Sequence, residues 1–261
     1  MVCNFITRLF VLIAISSWST FAFAKDPILD QILNDSRAAF TKQERPMVVF
    51  DIDGTLLDNR SRTLFILREY SDKELRKVRP DEAQKLGALS QLNIRYSLPE
   101  TLLAVNITDE AIVNNAAIFW SQRFFADAYL KYDTSTPGSV NFVRTLYTQG
   151  ARIIYLTGRD QPRQLIGTVQ TLRDNGFPIG IQGTELIMKP TMQTQDAVFK
   201  QQVTNYIRHY GKLIAAFDNE PSNTNVYRRA FESAKIIIYD APHSGNPPPL
   251  LPNIMPLKSF E

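Results

Sequence analysis

The sequence predicts an α/β fold, a doubly wound parallel sheet with helices on both faces and an inserted helical cap. Three observations point to it. Four short apolar runs, 47–50, 153–156, 213–217 and 236–239, carry the unbroken hydrophobicity of strands buried on both faces. Helical patterns separate these runs, the alternation that a parallel sheet requires. Three of the runs stop abruptly at polar groups: Asp51 and Asp53, then Thr157, Gly158 and Arg159, then Asp218 and Asn219. In a parallel sheet such carboxyl ends share one rim, which is where ligands bind.

The chain begins with a targeting pattern. Arg8 gives a positive start, 9–15 an apolar core, and Ala22, Phe23 and Ala24 a small-x-small cleavage site. Residues 1–24 are therefore expected to be a signal peptide, with the mature chain exported to the periplasm or secreted. The apolar run is short beside the roughly 20 residues of a membrane span, so no permanent span is expected after cleavage. The one cysteine, Cys3, precedes that run. The mature chain would hold none, which excludes disulfides, thiol catalysis and cysteine-ligated metal.

Residues 25–60 and 133–261 read as the α/β core and 61–132 as the cap. An amphipathic helix over 25–45, with Ile28, Ile32 and Leu33 at helical spacing, leads into the first strand. In the cap, Ser71 with Glu74 reads as a capping box, and Thr108, Asp109 and Glu110 open a helix expected to run over 111–132. Its Trp120, Phe124, Phe125 and Tyr129 either line a substrate pocket or fill the cap's own core. Pro137 and Gly150 bracket the next helix. A helix over 161–173, a short strand over 185–188 and a helix over 197–210, stopped by Gly211, come after the second apolar run. Pro221 suits the first turn of the helix carrying Tyr227 and Arg228, and the Pro-rich tail 242–256 reads as extended coil.

Over 261 residues the formal charge is only +3, and no Lys/Arg block forms a nucleic-acid footprint. Side chains alternate along a strand, so Asp51 and Asp53 project to one side while Ile52 turns inward. Two carboxylates at one strand end repel unless a proton or cation lies between them, and a hard divalent metal with oxygen ligands is the simplest occupant. A calcium-binding EF-hand loop would need Glu at its twelfth position, where this chain has Arg62. His209 and His243 are too few and too far apart in the chain for a histidine-based phosphatase and read as structural.

Taken together, Asp51-Ile52-Asp53-Gly54-Thr55, Leu156-Thr157-Gly158 and Asp218 with Asn219 and Asn223 resemble the motifs of the haloacid dehalogenase-like hydrolase superfamily. The export signal, with Pro137-Gly138-Ser139-Val140 and Tyr155 through Arg159, also resembles the bacterial secreted acid phosphatases of that superfamily. The resemblance implies a Rossmann-like core and a Mg²⁺-dependent phosphomonoesterase acting on a small phosphorylated substrate. It implies Asp51 as nucleophile, forming an aspartyl-phosphate, and Asp53 as acid and then base, its carbonyl helping to hold Mg²⁺ with Asp51 and Asp218. Thr157, with Gly158, would bind the phosphoryl group. Lys200 and Lys189 compete for the lysine that neutralises Asp51, with Lys200 favoured because its helix runs into the strand of Asp218. Arg159 either grips substrate or pairs with an acid. Asn219, Glu220 and Asn223 would orient metal waters or the lysine, although Glu220 and Asn223 equally suit a helix N-terminus. A phosphotransferase or phosphomutase using the same residues, and a non-catalytic phosphate-ligand binder, stay open. Neither the ester nor the oligomeric state is legible in the sequence.

Overall fold

The computed structural model describes residues 26–261, so the expected signal segment and Cys3 lie outside the described residues. Helix α1 (Pro27–Thr41) opens on Asp26, whose carboxylate accepts the Ile28 N–H at 3.0 Å. Strand β1 (Pro46–Phe50) is buried throughout. Strand β2 (Leu57–Asp58) pairs antiparallel with β3 (Thr134–Ser135), and this two-stranded stem closes off the inserted segment.

Between the stem strands lie α2 (Arg60–Tyr70), α3 (Pro80–Gly87), α4 (Leu98–Leu103), α5 (Glu110–Phe124) and α6 (Asp127–Leu130). Then follow α7 (Ser139–Thr148), β4 (Arg152–Asp160), α8 (Gln161–Asp174), β5 (Thr184–Lys189), α9 (Asp196–Tyr210), β6 (Lys212–Asp218), α10 (Pro221–Ala230), β7 (Lys235–Tyr239) and β8 (Ile254–Leu257).

The six core strands are parallel, in the order β5-β4-β1-β6-β7-β8. The chain steps from β1 to β4 and β5, then returns to the other side of β1 as β6. That reversal leaves a crevice at the carboxyl ends of β1 and β6, the place where open α/β sheets bind ligands. Alternation along β1 builds both layers. Val48 and Phe50 enter one apolar cluster with Leu29 and Ile32 of α1 and Phe142 and Leu146 of α7. Met47 and Val49 enter another with Phe199 and Ile207 of α9 and Tyr227 of α10. On the first face the Phe50 and Phe217 rings stack at 4.8 Å between centroids, with Phe142 edge-on to Phe50.

The insertion has an apolar cluster of its own, including Ile66, Leu67, Leu86, Leu102, Ala116 and Phe119. It departs from the sequence expectation at two points. Ser71 starts no helix: a π-helical turn (Ser71–Leu75) continues α2, and the Ser71 hydroxyl donates to the Ala83 carbonyl at 2.8 Å. The packing of the turn onto α3 outweighs the local capping signal. Capping boxes form instead at Ser90 with Asn93 and at Ser97 with Glu100. The helix expected over 111–132 breaks after Phe124, and α6 restarts at Asp127, whose carboxylate accepts the Gly167 N–H of α8 at 2.6 Å. A contact distant in the chain thus ends a helix that no Gly or Pro interrupts.

The tail differs as well. Ile254–Leu257 adds an edge strand beside β7, and the edge position tolerates Pro256, which cannot donate to a ladder. Among the described residues no helix is long and apolar enough to cross a membrane. Because Phe217 is fully buried between Phe50, Phe142 and Phe260, Phe217→Ala should cost about 3–5 kcal/mol in denaturant unfolding. A loss under about 1 kcal/mol would show that this face repacks freely.

Candidate active site

The site starts from the turn after β1. The Asp51 N–H donates to the Phe217 carbonyl at 2.9 Å, pinning the strand end to β6. Ile52 is buried, and its carbonyl accepts the N–H groups of Thr55, Leu56 and Leu57, which reverses the chain. Gly54 makes this possible. Its φ is +77°, and a Cβ there would lie 2.6 Å from Nδ2 of Asn219. The Thr55 hydroxyl is buried without a hydrogen-bond partner, while the Thr136 hydroxyl donates to the Thr55 carbonyl at 2.9 Å and ties the turn to the segment after the stem.

Lys200, on the inner face of α9, places its ammonium between the two aspartates that end the central strands. Nζ donates to Asp51 Oδ1 and to Asp218 Oδ2, each at 2.6 Å. The other Asp218 oxygen accepts the Glu220 N–H at 2.9 Å and Asn223 Nδ2 at 3.1 Å. Burial pushes the Asp51 carboxyl up; Lys200 pulls it down and Asp218 pushes it up again, leaving it raised. Burial alone would lower the Lys200 ammonium, but Asp218 and Asp51 outweigh it and hold the proton on. Lys189, the competing lysine, donates instead to Asp196 at 2.7 Å and to the Thr194 carbonyl at 3.0 Å, tying together its own loop.

Asp53 enters a second buried network. Its Oδ1 accepts Arg62 Nη2 at 2.7 Å and Arg159 Nη2 at 2.9 Å, and its Oδ2 accepts Arg159 Nε at 2.7 Å. Asp133, beside the stem, accepts Arg62 Nε at 2.9 Å and Arg159 Nη2 at 2.7 Å. Burial would raise the Asp53 carboxyl, but Arg159 and Arg62 outweigh it and hold it well below the usual carboxylate range. Arg159 reaches this position because the ladder between β4 and β5 shifts register after Thr157, a bulge that re-aims a side chain. Of the two roles open to Arg159, the structure shows pairing with acids. The Thr157 hydroxyl is buried and accepts the Arg159 N–H at 3.2 Å.

Both networks border one cavity of about 1050 Å³, lined from the core by Asp51, Asp53, Gly158 and Asn219 and from the insertion by Trp120 and Phe125. Its far wall is tied down by the remaining predicted residues. Asn219 Nδ2 donates to the Pro242 carbonyl at 2.8 Å, and the Glu220 carboxylate accepts the Ser244 N–H and hydroxyl. Burial and the Glu220 carboxylate push the Tyr96 hydroxyl of the insertion up to about 12. His209 and His243 bond backbone carbonyls and do not border the cavity.

No family model matches the chain, and no curated protein sequence matches it. Solved structures do. A candidate phosphatase from Clostridium difficile is 15% identical over 77% of this chain and 88% of its own, with a TM-score of 0.50. Protein Tyrosine Kinase A of Mycobacterium tuberculosis is 14% identical over 83% and 94%, with a TM-score of 0.53. A hydrolase of the haloacid dehalogenase superfamily, subfamily IA, from Geobacter sulfurreducens PCA matches more loosely, at 13% identity over 82% and 92% and a TM-score of 0.47. At such identities the likeness is one of fold. The fold is the α/β one these structures share, with a parallel sheet at its centre.

The donor set at the reversal point of this α/β fold suits Mg²⁺. Asp51 and Asp218 share one ammonium, so with both carboxylates ionised an excess negative charge remains, and among the described residues nothing donates a hydrogen bond to Oδ2 of Asp51. Hard oxygen donors with surplus negative charge are what this ion selects. No group of three or more His, Cys, Asp or Glu side chains is placed to hold a metal among the described residues. The ligands offered are therefore two carboxylates, Asp51 and Asp218. Asp53 can add only its main-chain oxygen, since its carboxylate is committed to the arginines.

Sequence reasoning missed Arg62 and Asp133. Arg62 lies on the buried face of α2 among Thr63, Ile66 and Leu67 and is itself fully buried. A charged residue in an apolar stripe is the one local signal of it. Its Nη1 donates to the Phe124 carbonyl at 2.7 Å, and its guanidinium lies 3.9 Å over the Phe124 ring. Arg62→Ala should lower stability at pH 7 by about 3–5 kcal/mol, because it strands buried carboxylates. Asp53 ionises below its unfolded range when folded, so its pairing stabilises the fold above about pH 4 and is lost as the pH falls further. Urea unfolding at pH 7 and pH 3 should show the difference between wild type and variant shrinking. A constant difference would remove Asp53 from the account.

Proposed function

We propose that the chain is an exported, Mg²⁺-dependent phosphomonoesterase that hydrolyses small phosphate esters through an aspartyl-phosphate on Asp51. The observation that carries this reading is the buried Asp51–Lys200–Asp218 trio, whose Asp51 borders a cavity shared with the insertion. Lys200 holds one oxygen of Asp51 and leaves the other without a donor, so one oxygen is oriented and the second is available to attack phosphorus. That bond forms as the phosphorus–oxygen bond to the alcohol breaks, and Lys200 offsets charge on Asp51 and on the phosphoryl oxygens. Asp51, Asp218 and the Asp53 carbonyl would hold Mg²⁺, which would supply further neutralisation of that charge. Thr157 and Gly158 border the phosphoryl position in this reading.

The state of Asp53 gives the two halves of the reaction different requirements. As paired with Arg62 and Arg159 it is an ionised carboxylate, the protonation state required to take a proton from the water that cleaves the aspartyl-phosphate, although the pairing lowers its basicity. Donating a proton to the leaving alcohol requires that the pairing loosen first. Export rests on the pattern in residues 1–24. Neither a nucleic acid nor a membrane is a partner in this reading.

p-Nitrophenyl phosphate should be hydrolysed with Mg²⁺, and EDTA should stop it. Asp51→Asn should abolish turnover with the fold intact by circular dichroism. Chelator-insensitive turnover, or none between pH 5 and 9, would contradict the proposal. Asp53→Asn should slow alkyl phosphates more than p-nitrophenyl phosphate, whose leaving group departs unprotonated. Equal losses on both would remove Asp53 as the acid.

A further inference from the structure

The cavity's wall on the insertion side is built of rings, and it begins one side chain away from Asp53. Arg62, which holds Asp53, lies over Phe124. Phe124 stacks on Trp120 at 4.3 Å, and Phe125 stands edge-on to both, at 5.1 Å from Phe124 and 5.8 Å from Trp120. All three rings are only half-buried and all three border the cavity. They were expected either to fill the insertion's core or to line a pocket. Trp120 and Phe124 do both, packing against that core while bordering the cavity.

The polar groups among the rings are already engaged. Trp120 Nε1 donates to Thr63 at 3.2 Å, Ser121 to the Ile118 carbonyl at 3.0 Å, and Arg60 to Asp58. Arg163, which lies over Phe125, is paired with Asp160. A hydroxyl-rich alcohol would find few free hydrogen-bonding partners here, whereas a flat ring would find faces to stack on. The space is also far larger than a phosphoryl group fills, at about 1050 Å³.

We infer that Trp120 and Phe125 are specificity-determining residues and that the preferred substrates are phosphate monoesters whose alcohol carries a flat, unsaturated ring. The inference rests on the phosphomonoesterase reading, because it assumes that the phosphoryl group sits at Asp51. With that group there, the ester oxygen leaves beside Asp53 and the alcohol extends along the ring wall. The ring replaces water against Trp120 and Phe125, so discrimination comes from stacking and desolvation.

Matched esters test this. Benzyl and butyl phosphate both release alkyl alcohols but differ in the ring; a nucleoside 5′-monophosphate and ribose 5-phosphate differ in the base. Benzyl phosphate should exceed butyl phosphate in kcat/KM by about tenfold, the scale of one ring stack. The ratio should fall toward one in Trp120→Ala and in Phe125→Ala, and Trp120→Phe should keep most of it. A matching preference for the nucleotide over ribose 5-phosphate identifies a nucleobase as an accepted ring; a benzyl preference alone confines the class to simple aryl groups. Equal kcat/KM for benzyl and butyl phosphate, or a preference that survives both alanine variants, overturns the inference while leaving the phosphatase reading in place. If no ester is hydrolysed, the phosphatase reading fails, and calorimetry with benzylphosphonate and butylphosphonate judges the ring site separately. Tighter binding of benzylphosphonate, lost in Phe125→Ala, sustains it; equal or undetectable binding overturns it.

Discussion

One ammonium between two buried carboxylates is the interaction on which the rest of the site depends. Asp51 and Asp218 end neighbouring parallel strands, and the reversal in strand order brings them together at the middle of the sheet. Unpaired, two carboxylates at this depth would not both ionise. Lys200 resolves most of the repulsion from α9, and its 2.6 Å contacts to both fix the ammonium between them. With both carboxylates ionised, the remaining negative charge and the hard oxygen donors suit a divalent cation.

A second electrostatic unit stands beside the first and does a different task. Asp53 and Asp133 are held by Arg62 and Arg159 in a buried four-membered network. Arg62 comes from the insertion, Arg159 from the core, and Asp133 from the segment between α6 and the stem, so the network ties the inserted helices to the sheet at the edge of the cavity. Breaking one member strands the charge of another, which makes such a unit costly to disturb. The geometry couples the placement of the insertion to the condition of the Asp53 carboxylate, because a shift of α2 moves one of its two guanidiniums.

The legible part of this molecule was the part written in short-range pattern. Apolar runs fixed the four central strands, and polar residues at their ends marked Asp51, Asp53, Thr157 and Asp218 before any geometry was known. Lys200 could be favoured over Lys189 only because its helix leads into β6; its contacts with two aspartates depend on how α9 packs. What escaped was set by contacts distant in the chain. The break after Phe124 follows from a bond between Asp127 and Gly167, the absent cap at Ser71 from packing on α3, and the edge strand in the tail from pairing with β7. Arg62 and Asp133 lie 71 residues apart and share no motif, so only their convergence gives them a role.

With both carboxylates ionised, the Asp51–Lys200–Asp218 arrangement carries surplus negative charge, where a divalent cation would bind. Thermal unfolding of the wild-type protein and of Asp218→Asn across a Mg²⁺ titration tests it without recourse to catalysis. Ligand that binds only the folded state raises Tm in proportion to its occupancy. A saturable rise is expected in wild type and should vanish in the variant. A wild-type Tm indifferent to Mg²⁺, or the same rise in both proteins, would contradict it.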